Sequence, residues 1–139
     1  MKYSISEVLH GCDRLVSETD QVTYLRHYEC DALKAILKYA LDPRVEWLLP
    51  IGTPPYTPTT NLDQHGNLYR EARKLNLFVK GGMHPTMHQL KRETLFVQFI
   101  EGLDPKDASL MCSIKDKILP YQRITPTLVN SAFPGLVSI

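Results

Sequence analysis

Residues 50–58 contain Pro50, Pro54, Pro55 and Pro58, with Gly52 and Tyr56 between them. Each proline fixes φ and removes a backbone donor, so the run excludes both a regular helix and a central strand. The irregular stretch continues through Asn61-Leu62-Asp63-Gln64-His65-Gly66, giving a loop of about 20 residues. Loops that long in compact domains are usually functional or partly disordered. Trp47, Leu48 and Leu49, just ahead of it, are expected to anchor it to the core.

Helix signals flank this loop. Ser4-Ile5-Ser6-Glu7 has capping-box spacing, and Ile5, Val8, Leu9, Cys12, Leu15 and Val16 follow at helical period. A second helix is expected from Ser17–Asp20 to Tyr28, with Val22, Leu25 and Tyr28 inward. A third is expected from Asp31 to Leu41, ended by Asp42-Pro43. Beyond the loop, Asn67–Val79 predicts a helix with Leu68, Ala72, Leu75 and Val79 inward, stopped at Gly81-Gly82. Met87–Gly102 predicts a helix that is apolar on more than one side and central in the core. Asp104-Pro105 and Thr125-Pro126 each pair an N-cap with proline at N1, opening helices to about Lys117 and Phe133. Strand alternation is absent. The expectation is a single all-α domain over residues 1–139, a bundle of about six or seven short helices with one long Pro-rich loop.

The chemistry suggested by the residues is sparse. With 43% hydrophobic and 22% charged residues and a net charge of +1, nothing pulls the whole chain toward nucleic acid or an anionic membrane. Cys12, Cys30 and Cys112 form no CxxC, so three free thiols are expected, and neither a metal nor a cofactor. His84 and His88 stand four apart, but Pro85 lies between them and no third ligand is near in sequence. No phosphate loop, G-x-S-x-G or cysteine-nucleophile motif is present, and no catalytic residue is expected. No signal peptide or membrane span is indicated.

Arg70, Arg73 and Lys74 share one expected helix face, Lys91 and Arg92 open another, and Lys106, Lys115, Lys117 and Arg123 crowd the last quarter. Such clusters serve as solvated faces or as phosphate contacts. "ITPTLVNSAFPGLV" (Ile124–Val137) resembles the end of the helical N-terminal DNA-binding domain of phage ATP-dependent DNA ligase. Asn130, Pro134, Gly135 and Leu136 carry the match, with Phe133 matching as an aromatic. "YLRHYECDALKAILKYALDP" (Tyr24–Pro43) fits the same domain more loosely. "WLLPIGTPPY", "DQHGNLYREARKLNLFV", "LKRETLFVQFIEGLDPKDA" and "FPGL" resemble a group of small proteins of T-even-like and cyanobacterial myoviruses, to which no activity attaches.

The ligase resemblance implies a DNA-backbone-binding domain whose turn before the last helix faces a minor groove, with Thr125, Thr127 and Asn130 near the nucleic acid. Leu119-Pro120-Tyr121-Gln122-Arg123 departs from that pattern in lacking a glycine, and the chain has no Lys-x-Asp-Gly nucleotidyl-lysine motif. The expectation is therefore a non-enzymatic phage accessory protein in the host cytoplasm or virion. It would hold DNA without sequence preference through Lys115, Lys117, Arg123, Thr125, Thr127 and Asn130. The alternative is a protein-interaction module that uses Pro54, Pro55 and Tyr56 on a phage or host protein.

Overall fold

A computed structural model describes residues 3–56, 68–82 and 86–137. Among these residues the chain is all-α, with seven α-helices and one 3-10 helix. Helix α1 (Ile5–Asp13) starts on the expected capping box: Ser4 Oγ accepts from Glu7 N at 3.3 Å, and Glu7 Oε1 accepts from Ser4 N at 3.0 Å. Helix α2 (Glu18–His27) is capped by Ser17. Helix α3 (Asp31–Leu41) is capped by Cys30, whose Sγ accepts from Leu33 N at 3.4 Å. Asp31, inside the first turn, is left to favour the positive end of the helix dipole.

The segment expected as one helix over 67–79 is broken; Asn67 lies outside the described residues. Helix α4 (Leu68–Glu71) lasts one turn and gives way to the 3-10 helix Ala72–Leu77. The buried residues Ala72, Leu75 and Phe78 explain the change. They recur every three positions, and a 3-10 helix stacks such positions on one side. Val79 then forms an isolated antiparallel bridge with Trp47. Two bonds flank it: Leu48 N donates to Phe78 O, and Lys80 N donates to Glu46 O, both at 2.8 Å. Trp47 Nε1 also donates to Tyr39 O at 3.1 Å. The expected anchoring of the loop by Trp47 and Leu48 is thus a short main-chain ladder. Gly82 closes the turn because a Cβ there would lie 1.7 Å from Asn76 O.

Helix α5 (Gln89–Glu101) begins at His88, whose Nδ1 accepts from Leu90 N at 3.2 Å. It buries one side, Arg92, Phe96, Phe99 and Ile100, while Leu90 is 68% exposed. Its place is therefore at the edge of the core and not central. Helices α6 (Pro105–Lys115) and α7 (Pro126–Ala132) start as predicted, on Asp104 and Thr125. Helix α2 packs on α7, α5 on α6, and α1 on both α2 and α6; α3 lies against α4, the 3-10 helix and α6. One hydrophobic cluster runs from Ile5 to Val137 and includes residues from both sides of the proline run. The Phe78, Phe96 and Phe99 rings meet within it, with Phe78 5.3 Å from Phe96 and 5.8 Å from Phe99. Each fully buried Leu, Ile or Phe contributes roughly 1.5–3 kcal/mol. No described helix is long and apolar enough to cross a membrane.

Candidate interaction surface

The feature that organises the proline segment is an ammonium group. Lys115, the last residue of α6, has a side chain only 2% exposed. Its Nζ donates to Pro50 O at 2.8 Å, Gly52 O at 2.9 Å and Asp116 Oδ1 at 2.5 Å. A lysine has three donors, and all three are used. Asp116 completes the grip, accepting from Gly52 N at 3.1 Å through Oδ2. The Lys–Asp pair therefore holds both carbonyls that flank Ile51 and the amide that follows it. Gly52 has φ +102, a left-handed conformation suited to glycine, with no atom where a Cβ would go. The result is a backbone fixed on its inner side with Ile51 projecting outward, 91% exposed.

Beside this turn lies a cleft of about 360 Å³ between the segment and α5, lined by Leu49, Pro54 and Pro55 on one side and Thr94, Phe96 and Val97 on the other. Gln89 Nε2, in the first turn of α5, donates to Leu48 O at 2.7 Å and ties that helix to the chain ahead of the proline segment. Of the residues expected to meet a protein partner, Pro55 is exposed and Pro54 is half-buried. Tyr56 is half-buried and packs against the core, and burial pushes its hydroxyl pKa up. Residues 57–67, including Pro58 and the far half of the expected loop, lie outside the described residues.

The residues expected to face DNA are placed differently. Lys115, expected as a phosphate contact, has a buried ammonium whose three donors are taken up by Pro50, Gly52 and Asp116. Lys117 is exposed along its stem, but its Nζ donates to Tyr39 O at 3.0 Å and Asp42 O at 2.7 Å, closing the C-terminus of α3. It sits at φ +62, in a turn where Lys117 N bonds Ile114 O and Ile118 N bonds Ser113 O. This is a Schellman arrangement with lysine where glycine is usual. Burial lowers the Lys117 pKa, and the Asp42 carboxylate opposes that shift.

Arg123 N donates to Asp13 Oδ1 at 2.9 Å, and its guanidinium to Leu15 O at 3.3 Å. Thr125 Oγ1 caps α7, accepting from Leu128 N at 3.1 Å. Thr127 is exposed. The Asn130 amide bonds Val137 in both directions, Nδ2 to O at 2.7 Å and Oδ1 from N at 2.9 Å, across a turn in which Gly135 has φ +78. Asn130 therefore fastens the Phe-Pro-Gly-Leu turn that follows α7.

The other basic residues are also engaged or scattered. Arg70 and Lys74 both pair with Glu71, at 3.5 and 2.5 Å. Arg92 is buried, with Nε donating to Leu77 O at 3.1 Å. His84 lies outside the described residues, and His88 serves as a helix cap. Among the described residues no group of three or more His, Cys, Asp or Glu is placed to hold a metal. Cys12 and Cys112 are buried and Cys30 is half-buried.

Sequence reasoning missed two buried polar links. Asp107 Oδ1 accepts from Ser6 N at 3.0 Å, joining the first turns of α6 and α1. Gln21 Nε2 donates to Cys12 O at 3.2 Å, joining α2 to the end of α1. A polar residue on an otherwise apolar stripe was the available signal for Gln21; nothing local distinguished Asp107 from a first-turn dipole partner.

Fold and surface together define a small helical protein that displays a clamped apolar turn above a shallow cleft. The chain belongs to the family of unknown function DUF6433, whose model matches residues 8–121. That span includes the proline turn, Lys115 and Asp116, and stops short of α7. No curated protein matches the chain, and no solved structure does.

Proposed function

We propose that this chain is a non-enzymatic accessory protein, of the myovirus kind suggested by its resemblances, that holds a protein partner at the Ile51 turn. The observation that carries this is the pairing of opposites at one place: a buried ammonium bonds the carbonyls on both sides of a residue that is 91% exposed. A large aliphatic side chain held out on a fixed backbone loses little freedom when it is buried by a partner, so more of its burial appears as affinity. Pro50, Pro54 and Pro55 further restrict the free segment. The partner is a protein with an apolar pocket for Ile51 and polar groups around it, the usual anatomy of an interface anchor.

Duplex DNA is the competing partner, and the geometry favours it less. A positive surface joining Arg70, Lys91, Lys115 and Arg123 is interrupted at Lys115, whose charge is inside.

The test compares Ile51→Asp with Val16→Asp, a control at an 86% exposed position on another part of the surface. Both variants are expected to keep the fold by circular dichroism, since both positions are exposed. Cross-linking from infected cells, with nuclease present, is expected to recover with wild type and Val16→Asp a partner that Ile51→Asp loses. The same partners with all three proteins would refute the proposal. Salt-sensitive duplex binding that Ile51→Asp leaves intact would transfer the function to DNA.

A further inference from the structure

A second, larger cleft lies away from the proline turn, between α1, α2 and α6, and encloses about 720 Å³. Small-molecule sites span roughly 300–1,000 Å³. Its wall is aromatic. The Tyr24 and Tyr28 rings are 4.9 Å apart and inclined at 51°, and Tyr3 extends the group, 6.2 Å from Tyr28. All three are partly exposed, Tyr3 by 49%.

The wall is held in place by a glycine. A Cβ at Gly11 would lie 2.2 Å from Tyr24 Oη, so the end of the tyrosine ring is seated against the bare backbone of α1. The rim is cationic. Arg14 follows the last turn of α1, and Lys106 stands in the first turn of α6. Both side chains are exposed and line the cleft, and neither shares an ion pair with a described residue. In this they differ from Lys115, Lys117, Arg92 and Arg26, which are bonded to main-chain carbonyls. The acidic group on the rim, Glu7, is held mainly by the α1 cap, where its carboxylate accepts from Ser4 N, with Lys106 a weaker electrostatic neighbour.

Tyrosine faces offer stacking to any flat base, and the exposed Arg and Lys beside them offer contacts to phosphate. We infer that this cleft binds a nucleotide unit, an aromatic base on the Tyr24–Tyr28 wall with its phosphate at Arg14 and Lys106. The base comes either from a free nucleotide or from an unpaired position in a single strand. The site is separate from the Ile51 turn and does not depend on the function assigned there.

Calorimetric titration with dTMP, with an oligothymidylate of about eight nucleotides and with its abasic counterpart tests this. Wild type is expected to bind the oligothymidylate at least about tenfold more tightly than the abasic chain. Arg14→Ala and Lys106→Ala, at exposed positions, are each expected to weaken binding about tenfold, and Ile51→Asp to leave it unchanged. Binding of dTMP as tight as that of the oligomer identifies a free nucleotide as the ligand, and binding of the oligomer alone identifies a strand; either supports the site. Absence of binding by both probes at millimolar concentration overturns it. So does equal affinity for the abasic chain, or full affinity in the Arg14 and Lys106 variants.

Discussion

Replacing Lys115 by Met keeps the stem and removes the ammonium that secures the proline segment. In the folded protein the change leaves Pro50 O and Gly52 O without their donor and leaves the Asp116 carboxylate, 14% exposed, facing a thioether. Removing one member of a buried ion pair costs about 3–5 kcal/mol, because the remaining charge stays desolvated. Here the segment can partly escape by lifting into water, so the expected loss lies near the lower bound, about 3 kcal/mol. Lifting also releases Gly52 N from Asp116. The assay is urea denaturation combined with hydrogen exchange. Lys115→Met should lower the midpoint and bring Gly52 exchange close to that of an unprotected amide. Lys115→Met/Asp116→Ala should be less destabilised than the sum of the single variants, with a coupling of about 1–3 kcal/mol. A Lys115→Met protein within about 0.5 kcal/mol of wild type, with Gly52 still protected, would show that the ammonium does not hold the turn. The rigidity argument for Ile51 would fall with it.

Two further outcomes follow from buried titratable groups. Burial pushes the Asp107 carboxyl above its ordinary 3.8, and the bonds from Ser6 only partly counter it. The folded state therefore binds this proton more tightly than the unfolded chain. Its effect on stability is most favourable below the unfolded value and declines as pH rises to the folded one, with no further change above. Asp107→Asn retains an acceptor for Ser6 N, so it should match wild type well below pH 3.8 and exceed it at neutral pH; a stability difference between variant and wild type that does not grow as pH rises across that window would contradict this assignment. Burial also pushes the Cys12 thiol up to about 11 and raises Cys112. Since the thiolate is the reactive form, an aromatic disulfide reagent at pH 8 should modify at most Cys30 rapidly in the native protein. Fast modification of a second thiol would refute the packing described around α1 or α6.

The helices were legible because their start signals are local. Ser4 with Glu7, Ser17, Asp104-Pro105 and Thr125-Pro126 each complete a cap within three residues, and all occur as read. Cys30 was not legible as a cap because a thiol is an uncommon acceptor there, and His88 was obscured by its pairing in sequence with His84. The 3-10 stretch failed for a different reason. Leu68, Ala72, Leu75 and Val79 satisfy a 3.6 period while Ala72, Leu75 and Phe78 satisfy a period of three, and Val79 is drawn away by its bridge to Trp47. Local spacing alone does not decide between those patterns. In the interaction surface, the proline run announced an irregular, exposed segment, but Ile51 looked like any apolar residue within it.

The cations explain why the surface was harder to read than the fold. A helix ends with carbonyls that lack intrahelical donors and carry partial negative charge. This chain meets them repeatedly with basic side chains from distant sequence. Arg26 donates to Ser131 O and Ala132 O at the end of α7. Lys117 closes α3, Arg92 the 3-10 helix, and Arg123 the stretch after α1. Lys115 does the same for a turn that has no helix at all. The separations are up to 108 residues, so a cluster of Lys and Arg in the last quarter of the sequence looks like a phosphate-binding face until the carbonyls it serves are located. Charge counted along a chain measures what is available to a partner only after those internal bonds are subtracted. In this protein the subtraction accounts for Lys115 and Lys117, whereas Arg14 and Lys106, beside the tyrosine cleft, stay exposed.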